Sequence, residues 1–153
     1  AGGLPLAAVT GRAEIMDSAF PGGLGGTFGG NPVSAAAAIA VFEQIESKNL
    51  LAEGERIERT LKGGLLDLQK KYPLIGDVRG IGAMLAIELV DAGTHTPNSA
   101  AVTAIAAFAA QRGVLVLTAG TYGNVLRFLP SLAISDGLIA EAVSVLDEAF
   151  ASL

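Results

Sequence analysis

The sequence predicts an α+β fold in which helices pack on one face of a small, mostly antiparallel sheet, preceded by a glycine-rich arm. Three observations predict it. The opening stretch, Ala1 to Asn31, is dense in glycine and poor in side chains that could fill a core. From Glu43 onward the pattern alternates helix, strand, helix, hairpin, helix, an order that layers helices on an antiparallel sheet. The composition, 51% hydrophobic and 16% charged over 153 residues, supplies aliphatic material for a core and excludes a disordered chain.

The arm culminates in Pro21-Gly22-Gly23-Leu24-Gly25-Gly26-Thr27-Phe28-Gly29-Gly30, and Asn31-Pro32 then signals a helix start. Asn accepts backbone N–H bonds as N-cap, while Pro at the first helical position gives up only a donor that has no partner there. This alanine-rich helix is expected to run to about Glu46, so that residues 1–46 form the arm and a linking helix and 47–153 form the α+β domain. A second helix follows Asn49, with Ile57, Leu61, Leu65, Leu68 and Tyr72 on one stripe. Gly63-Gly64 weakens it and Pro73 ends it.

Asp77 to Gly82 reads as a tight connection, Ala83 to Val90 as a dense apolar strand with Glu88 near its end, and Asp91 to Pro97 as a polar turn. Asn98 or Ser99 caps a third helix that Gly113 stops. Val114 to Thr118 and Asn124 to Leu129 form a hairpin with a longer loop. Ser135-Asp136 caps the last helix, whose buried face is Ile139, Val143, Leu146 and Phe150.

Charge and residue content narrow the chemistry. A formal charge of −5, from 10 basic and 15 acidic residues, is the wrong sign for a nucleic-acid surface. With no cysteine and one histidine, His95, there is no disulfide, no thiolate nucleophile and no metal site of several imidazoles. The longest apolar run, Ala35 to Phe42, is far short of the roughly 20 residues that span a bilayer. No export signal is visible, which fits a cytoplasmic protein, and the start at Ala1-Gly2-Gly3 reads as a point within a longer chain.

Two features carry candidate chemistry. Arg127 stands on a strand of aliphatic residues, sharing a face with Val125 and Leu129. It either reaches outward to a helix carboxylate or presents its planar fork to a substrate carboxylate. The Gly25-to-Gly30 loop is either a plain connection or an anion cradle, in which the amides around Gly26, the Thr27 hydroxyl and the following helix start converge on a phosphate. Arg79 reads as a loop anchor through carbonyls, His95 as a solvated loop residue, and Glu14 and Asp17 as a solvated helical turn. The serines have no histidine partner at a sensible spacing.

Four runs occur together and in order: Ala1-Gly2-Gly3-Leu4-Pro5-Leu6-Ala7-Ala8-Val9-Thr10-Gly11-Arg12, Gly25 to Pro32, Asp77-Val78-Arg79-Gly80-Ile81-Gly82-Ala83-Met84, and Leu126-Arg127-Phe128-Leu129-Pro130. Together they resemble the C-terminal part of class III pyridoxal-phosphate-dependent aminotransferases over essentially the whole chain. The resemblance implies fold type I, with residues 1–46 at the end of a large cofactor-carrying domain and 47–153 as the small C-terminal domain. It implies a ping-pong amino transfer, from 4-aminobutyrate to 2-oxoglutarate, giving succinate semialdehyde and glutamate. Ornithine, diaminobutyrate and 5-aminovalerate remain alternative donors, and a non-catalytic α+β binding module is the alternative of a different class.

Residue by residue, the resemblance implies that Thr27, with the Gly26 backbone, binds the cofactor phosphate of the partner subunit in a homodimer. It implies that Arg127 binds the substrate carboxylate. The family's Schiff-base lysine lies upstream of the segment matching Ala1-Gly2-Gly3, so this chain is expected to be inactive alone and not to hold pyridoxal phosphate by itself.

Overall fold

A computed structural model describes residues 1–153, and the chain divides into two compact units, Ala1–Leu50 and Leu51–Leu153. In the first unit a single turn, α1 (Ala13–Met16), precedes the long helix α2 (Pro32–Ser47). The Asn31 side chain caps α2 as expected, accepting from the Val33 and Ser34 amides at 2.9 and 3.3 Å. Asn49 closes this stretch in the left-handed region at φ 48°, which Asn tolerates better than most residues. Ser34 is the one buried residue of the unit.

From Leu51 the second unit takes in all but the first residue of α3 (Leu50–Ile57), passes through a π-helical turn (Glu58–Lys62) and continues as α4 (Gly63–Lys71). The stripe predicted from sequence is buried at Ile57, Leu61, Leu65 and Leu68. Positions 57, 61 and 65 are four apart, and on a 3.6-residue helix such a row drifts around the axis; the wider turn takes up that drift. Gly64 has a packing role, because a Cβ there would stand 2.9 Å from Val143 of the last helix.

Two antiparallel hairpins follow: β1 (Ile75–Ile81) with β2 (Met84–Leu89), and β3 (Leu117–Ala119) with β4 (Val125–Phe128). They join through β2 and β4 into one four-stranded sheet of order β1-β2-β4-β3. The stretch expected to be a tight connection, Asp77 to Gly82, is mostly strand β1, turning into β2 at Gly82 and Ala83. Glycines and charges hid it, because one face of the sheet is uncovered and takes polar residues, while Gly80 sits against the neighbouring strand at φ 130°. The second hairpin begins later than expected, at Leu117 rather than Val114.

Between the hairpins lies α5 (Ser99–Gln111), capped by Asn98, whose side chain accepts from the Ala101 amide at 2.9 Å; Gly113 follows its end at φ 81°. The last helix, α6 (Asp136–Ala151), is capped by Ser135 and buries Ile139, Leu146 and Phe150 as predicted. Helices cover one face of the sheet, where Ile87, Leu126, Leu85 and Phe128 join Ile57, Leu65, Ile105 and Leu146 in a single core. The α+β architecture is therefore as the sequence predicts.

Candidate functional site

The opposite face of the sheet has no helix on it, and the strand register sets what it displays. Arg79 pairs with Ala86, Ala86 with Arg127, and Arg127 with Leu117, so two guanidiniums share one row across the sheet. Asp77, Glu88, Val125 and Ala119 make the adjoining row. At the hairpin end, Ile81 and Met84 face each other at 79% and 57% exposure, an apolar edge to a charged surface.

The Arg127 side chain is exposed and makes no hydrogen bond or ion pair within the chain. The expected outward pairing with a helix carboxylate is absent. Its flanks in the sheet are short or aliphatic, Ala86 on one side and Leu117 on the other. Arg127 also borders a cavity of about 380 Å³ enclosed by the segment from Arg112 to Leu117, by Phe128 to Pro130 and by the start of α6. A planar cation with both amine edges free, beside an open cavity, can take both oxygens of a carboxylate.

Arg79, in contrast, is paired with two carboxylates through one guanidinium nitrogen. Its Nη1 donates to Asp77 Oδ2 at 2.8 Å and approaches Glu88 Oε2 at 2.7 Å. These contacts, the Asp77 hydrogen bond foremost, raise the Arg79 guanidinium pKa. The expectation that Arg79 anchors a loop through carbonyls is thus corrected: it lies on a strand, and its partners are carboxylates. Glu88 Oε1 accepts from the buried Asn124 Nδ2 at 3.3 Å, and the same Nδ2 donates to the Leu89 carbonyl at 3.0 Å. Sequence reasoning did not find this network, since Glu88 meets Arg79 only once β1 and β2 are set in register. Charges two apart in Asp77-Val78-Arg79 were the available signal.

Thr27 and Gly26 belong to the first unit and are both exposed. Gly26 to Gly29 forms a turn closed by the Gly29 amide on the Gly26 carbonyl at 3.0 Å. The Thr27 hydroxyl and the Thr27 and Phe28 amides make no hydrogen bond within the chain. An added Cβ at Gly25 or Gly26 would meet nothing within 4 Å, so this side of the turn is open to an approaching group. That donor set, one hydroxyl and adjacent amides leading into the capped start of α2, fits a phosphate.

The remaining sequence candidates separate. His95 lies exposed in the turn between β2 and α5, and Tyr122 is exposed in the loop before β4. No group of three or more acidic or imidazole side chains is placed to hold a metal ion. No helix is long and apolar enough to cross a membrane.

A family model, Aminotransferase class-III, matches residues 1–150. The chain is 50% identical over 153 residues to a 5-aminovalerate aminotransferase of Pseudomonas putida, covering 100% of this chain and 36% of that one. It is 48% identical over 151 residues to a 4-aminobutyrate aminotransferase of Escherichia coli, covering 98% of this chain and 35% of that one. An amine transaminase from an uncultivated Pseudomonas species, solved in its PLP-bound form, superposes with TM-score 0.75 at 33% identity, covering 84% of this chain and 29% of that one. An acetylornithine aminotransferase from Elizabethkingia anophelis gives TM-score 0.75 at 29% identity, over 91% of this chain and 33% of that one. The chain thus spans about a third of the length of the curated relatives it matches. By sequence along nearly its whole length, and by fold, it belongs to the class-III aminotransferase family.

Proposed function

We propose that this chain is the C-terminal portion of a pyridoxal-phosphate-dependent 4-aminobutyrate aminotransferase, which moves an amino group from 4-aminobutyrate to 2-oxoglutarate. The observation that carries the reading is Arg127: an unpartnered guanidinium on the uncovered sheet face of a class-III aminotransferase chain. In the whole protein, of fold type I, residues 1–46 complete the large domain and residues 47–153 form the small one. It works in the cytoplasm as a homodimer through the glycine-rich arm.

Each residue has a defined task. Arg127 binds the carboxylate of the amino or oxo acid through two parallel N–H donors and so orients the substrate. Thr27 donates its hydroxyl, and the Gly26–Phe28 backbone its amides, to the phosphate of the partner subunit's cofactor. Bound pyridoxal phosphate supplies an electron-withdrawing ring that lets a carbon next to nitrogen lose a proton. The chain's own lysines are not set up as the reactive amine: Lys62, Lys70 and Lys71 are paired with Glu58, Asp67 and Asp147, and Lys48 is exposed at the end of α2. The hydrogen bond from Lys71 to Asp147 raises the lysine pKa and holds it as ammonium. The 153-residue chain alone is expected to be inactive.

A second reading, 5-aminovalerate as donor, is favoured by the 50% identity to the Pseudomonas putida enzyme of that name. Turnover of the full-length protein on 4-aminobutyrate, 5-aminovalerate, ornithine and diaminobutyrate decides between them. The expected result is the highest kcat/KM on 4-aminobutyrate, and preference for a diamine overturns the reading. Arg127→Ala in that protein is expected to raise KM for glutamate at least about tenfold while leaving cofactor absorbance intact.

A further inference from the structure

The uncovered sheet face carries two cations, Arg79 and Arg127, and two anions, Asp77 and Glu88, so its charges balance; yet both carboxylates sit on Arg79 and neither on Arg127. The register makes this uneven sharing a choice. Glu88 lies directly opposite Asp77 on β1 and Val125 on β4, and each arginine lies two residues further along its own strand. Glu88 is therefore a diagonal neighbour of both guanidiniums, at the roughly 7–8 Å separation that long side chains span. Ala86, which stands between the two arginines in their row, is too short to separate them sterically.

Two contacts hold the Glu88 carboxylate to its side. Oε2 lies 2.7 Å from Arg79 Nη1, and Oε1 accepts from Asn124 Nδ2 at 3.3 Å. Asn124 is itself fixed, 2% exposed, with the same Nδ2 on the Leu89 carbonyl and its own carbonyl accepting from the Leu89 amide at 2.7 Å. Both carboxylate oxygens are thus committed to partners other than Arg127.

We infer that Arg79, assisted by Asn124, is a positioning residue that sequesters Glu88 and so keeps Arg127 open to the substrate carboxylate. The inference rests on the assignment of Arg127 given above and extends it: the strength of the anion site is set by a residue two strands away that never touches the ligand. A carboxylate released from Arg79 would be an internal competitor tethered to the sheet, present at a high effective concentration.

The test is calorimetric titration of the full-length, cofactor-loaded protein with glutarate, a dicarboxylate with no amine or oxo group. Arg79→Ala is expected to weaken glutarate about tenfold, because Glu88 then neutralises Arg127. Adding Glu88→Gln to that variant is expected to return binding to within about twofold of the parent, and Arg79→Lys, which keeps a cation for Glu88, to stay near the parent. A general loss of local structure would not be repaired by a second substitution. Parent-like binding by Arg79→Ala, or a double variant as weak as the single, overturns the inference. Arg127→Ala serves as the separate arm: if it leaves glutarate binding unchanged, the assignment of Arg127 fails and this inference with it. If Arg127→Ala abolishes binding while Arg79→Ala does not weaken it, the inference alone fails.

Discussion

In Leu51–Leu153, Leu126, Ile87, Leu65 and Ile105 are fully shielded from solvent, and sheet, π turn and helices α4 to α6 all feed one core. In Ala1–Leu50 the buried residue is Ser34, while Phe20, Phe28, Ile39 and Phe42 lie open. The two regions use the same aliphatic and aromatic residues to different ends. The second unit has an interior of its own, so the candidate residue Arg127 is aimed by packing and strand register. The first is organised by local backbone chemistry, caps and turns, and its exposed apolar surface is of the kind that marks an interaction site. Arg127 and Thr27, one from each region, thus have different determinants of position.

The largest expected difference follows directly. Leu126→Ala, at the centre of the sheet, is expected to cost about 3 kcal/mol in urea unfolding, from lost burial and the cavity left behind. Phe42→Ala, on the open face of α2, is expected to change stability by no more than about 0.5 kcal/mol. Equal costs would show that the first region has an interior after all, and would erase the contrast.

Glycines sharpen the same contrast at a smaller scale. Gly80 adopts φ 130°, and a Cβ there would collide with the Met84 carbonyl oxygen, a backbone atom with no room to yield. Gly80→Ala is expected to cost about 2 kcal/mol and to disturb the β1–β2 hairpin. Gly26→Ala meets nothing within 4 Å, and its expected effect on unfolding is nil within error, whatever it does to phosphate affinity. Thermal melts of the two variants side by side check both statements.

What could be read from the sequence follows the same division. Asn31-Pro32, Ser135-Asp136 and Gly113 were legible because a cap acts within a few residues of itself. The stripe from Ile57 to Leu68 was legible from its spacing, but the π turn inside it was not, because tertiary packing selects that wider turn. Strand β1 was missed because Gly76, Asp77, Arg79 and Gly80 break the apolar alternation that marks a strand, and only pairing with β2 makes them one. Arg127 stood out as a lone cation on an apolar strand, whereas the commitment of Glu88 to Arg79 required register, which no local pattern encodes.

Capping gives a smaller and more pointed test, because Asn31 and Asn98 do the same work in the two regions. Each accepts an amide hydrogen of its helix at 2.9 Å. Asn98→Ala is expected to lower global stability by about 1 kcal/mol, since α5 is packed into the core. Asn31→Ala is expected to reduce helix content by circular dichroism while leaving the global midpoint in place. A shift of the midpoint by Asn31→Ala would mean that α2 unfolds together with the core.

The smallest effect lies at the surface of the second unit. Lys71 and the Tyr72 hydroxyl both donate to Asp147, at 2.7 and 2.6 Å to Oδ1, and these two hydrogen bonds lower the Asp147 pKa below the ordinary 3.8. Because the folded value is the lower one, the stabilisation is present above the unfolded pKa and disappears as pH falls through the folded pKa. The Lys71 pKa is raised, chiefly by the same hydrogen bond to Asp147, so its contribution holds below the ordinary lysine value of 10.5 and is lost only as alkaline pH passes the folded one. The parent is therefore expected to lose stability on acidification below about pH 4 more steeply than Asp147→Asn, with the two curves parallel from about pH 5 to 9. The pair is exposed, so the difference is expected to be modest and to shrink with added salt, as screening dictates for a solvent-facing ion pair. Identical acid limbs for the two proteins would assign the acid sensitivity of this unit to other carboxylates, of which Glu58 is the next candidate, its pKa lowered first by the Gly82 amide and then by Lys62.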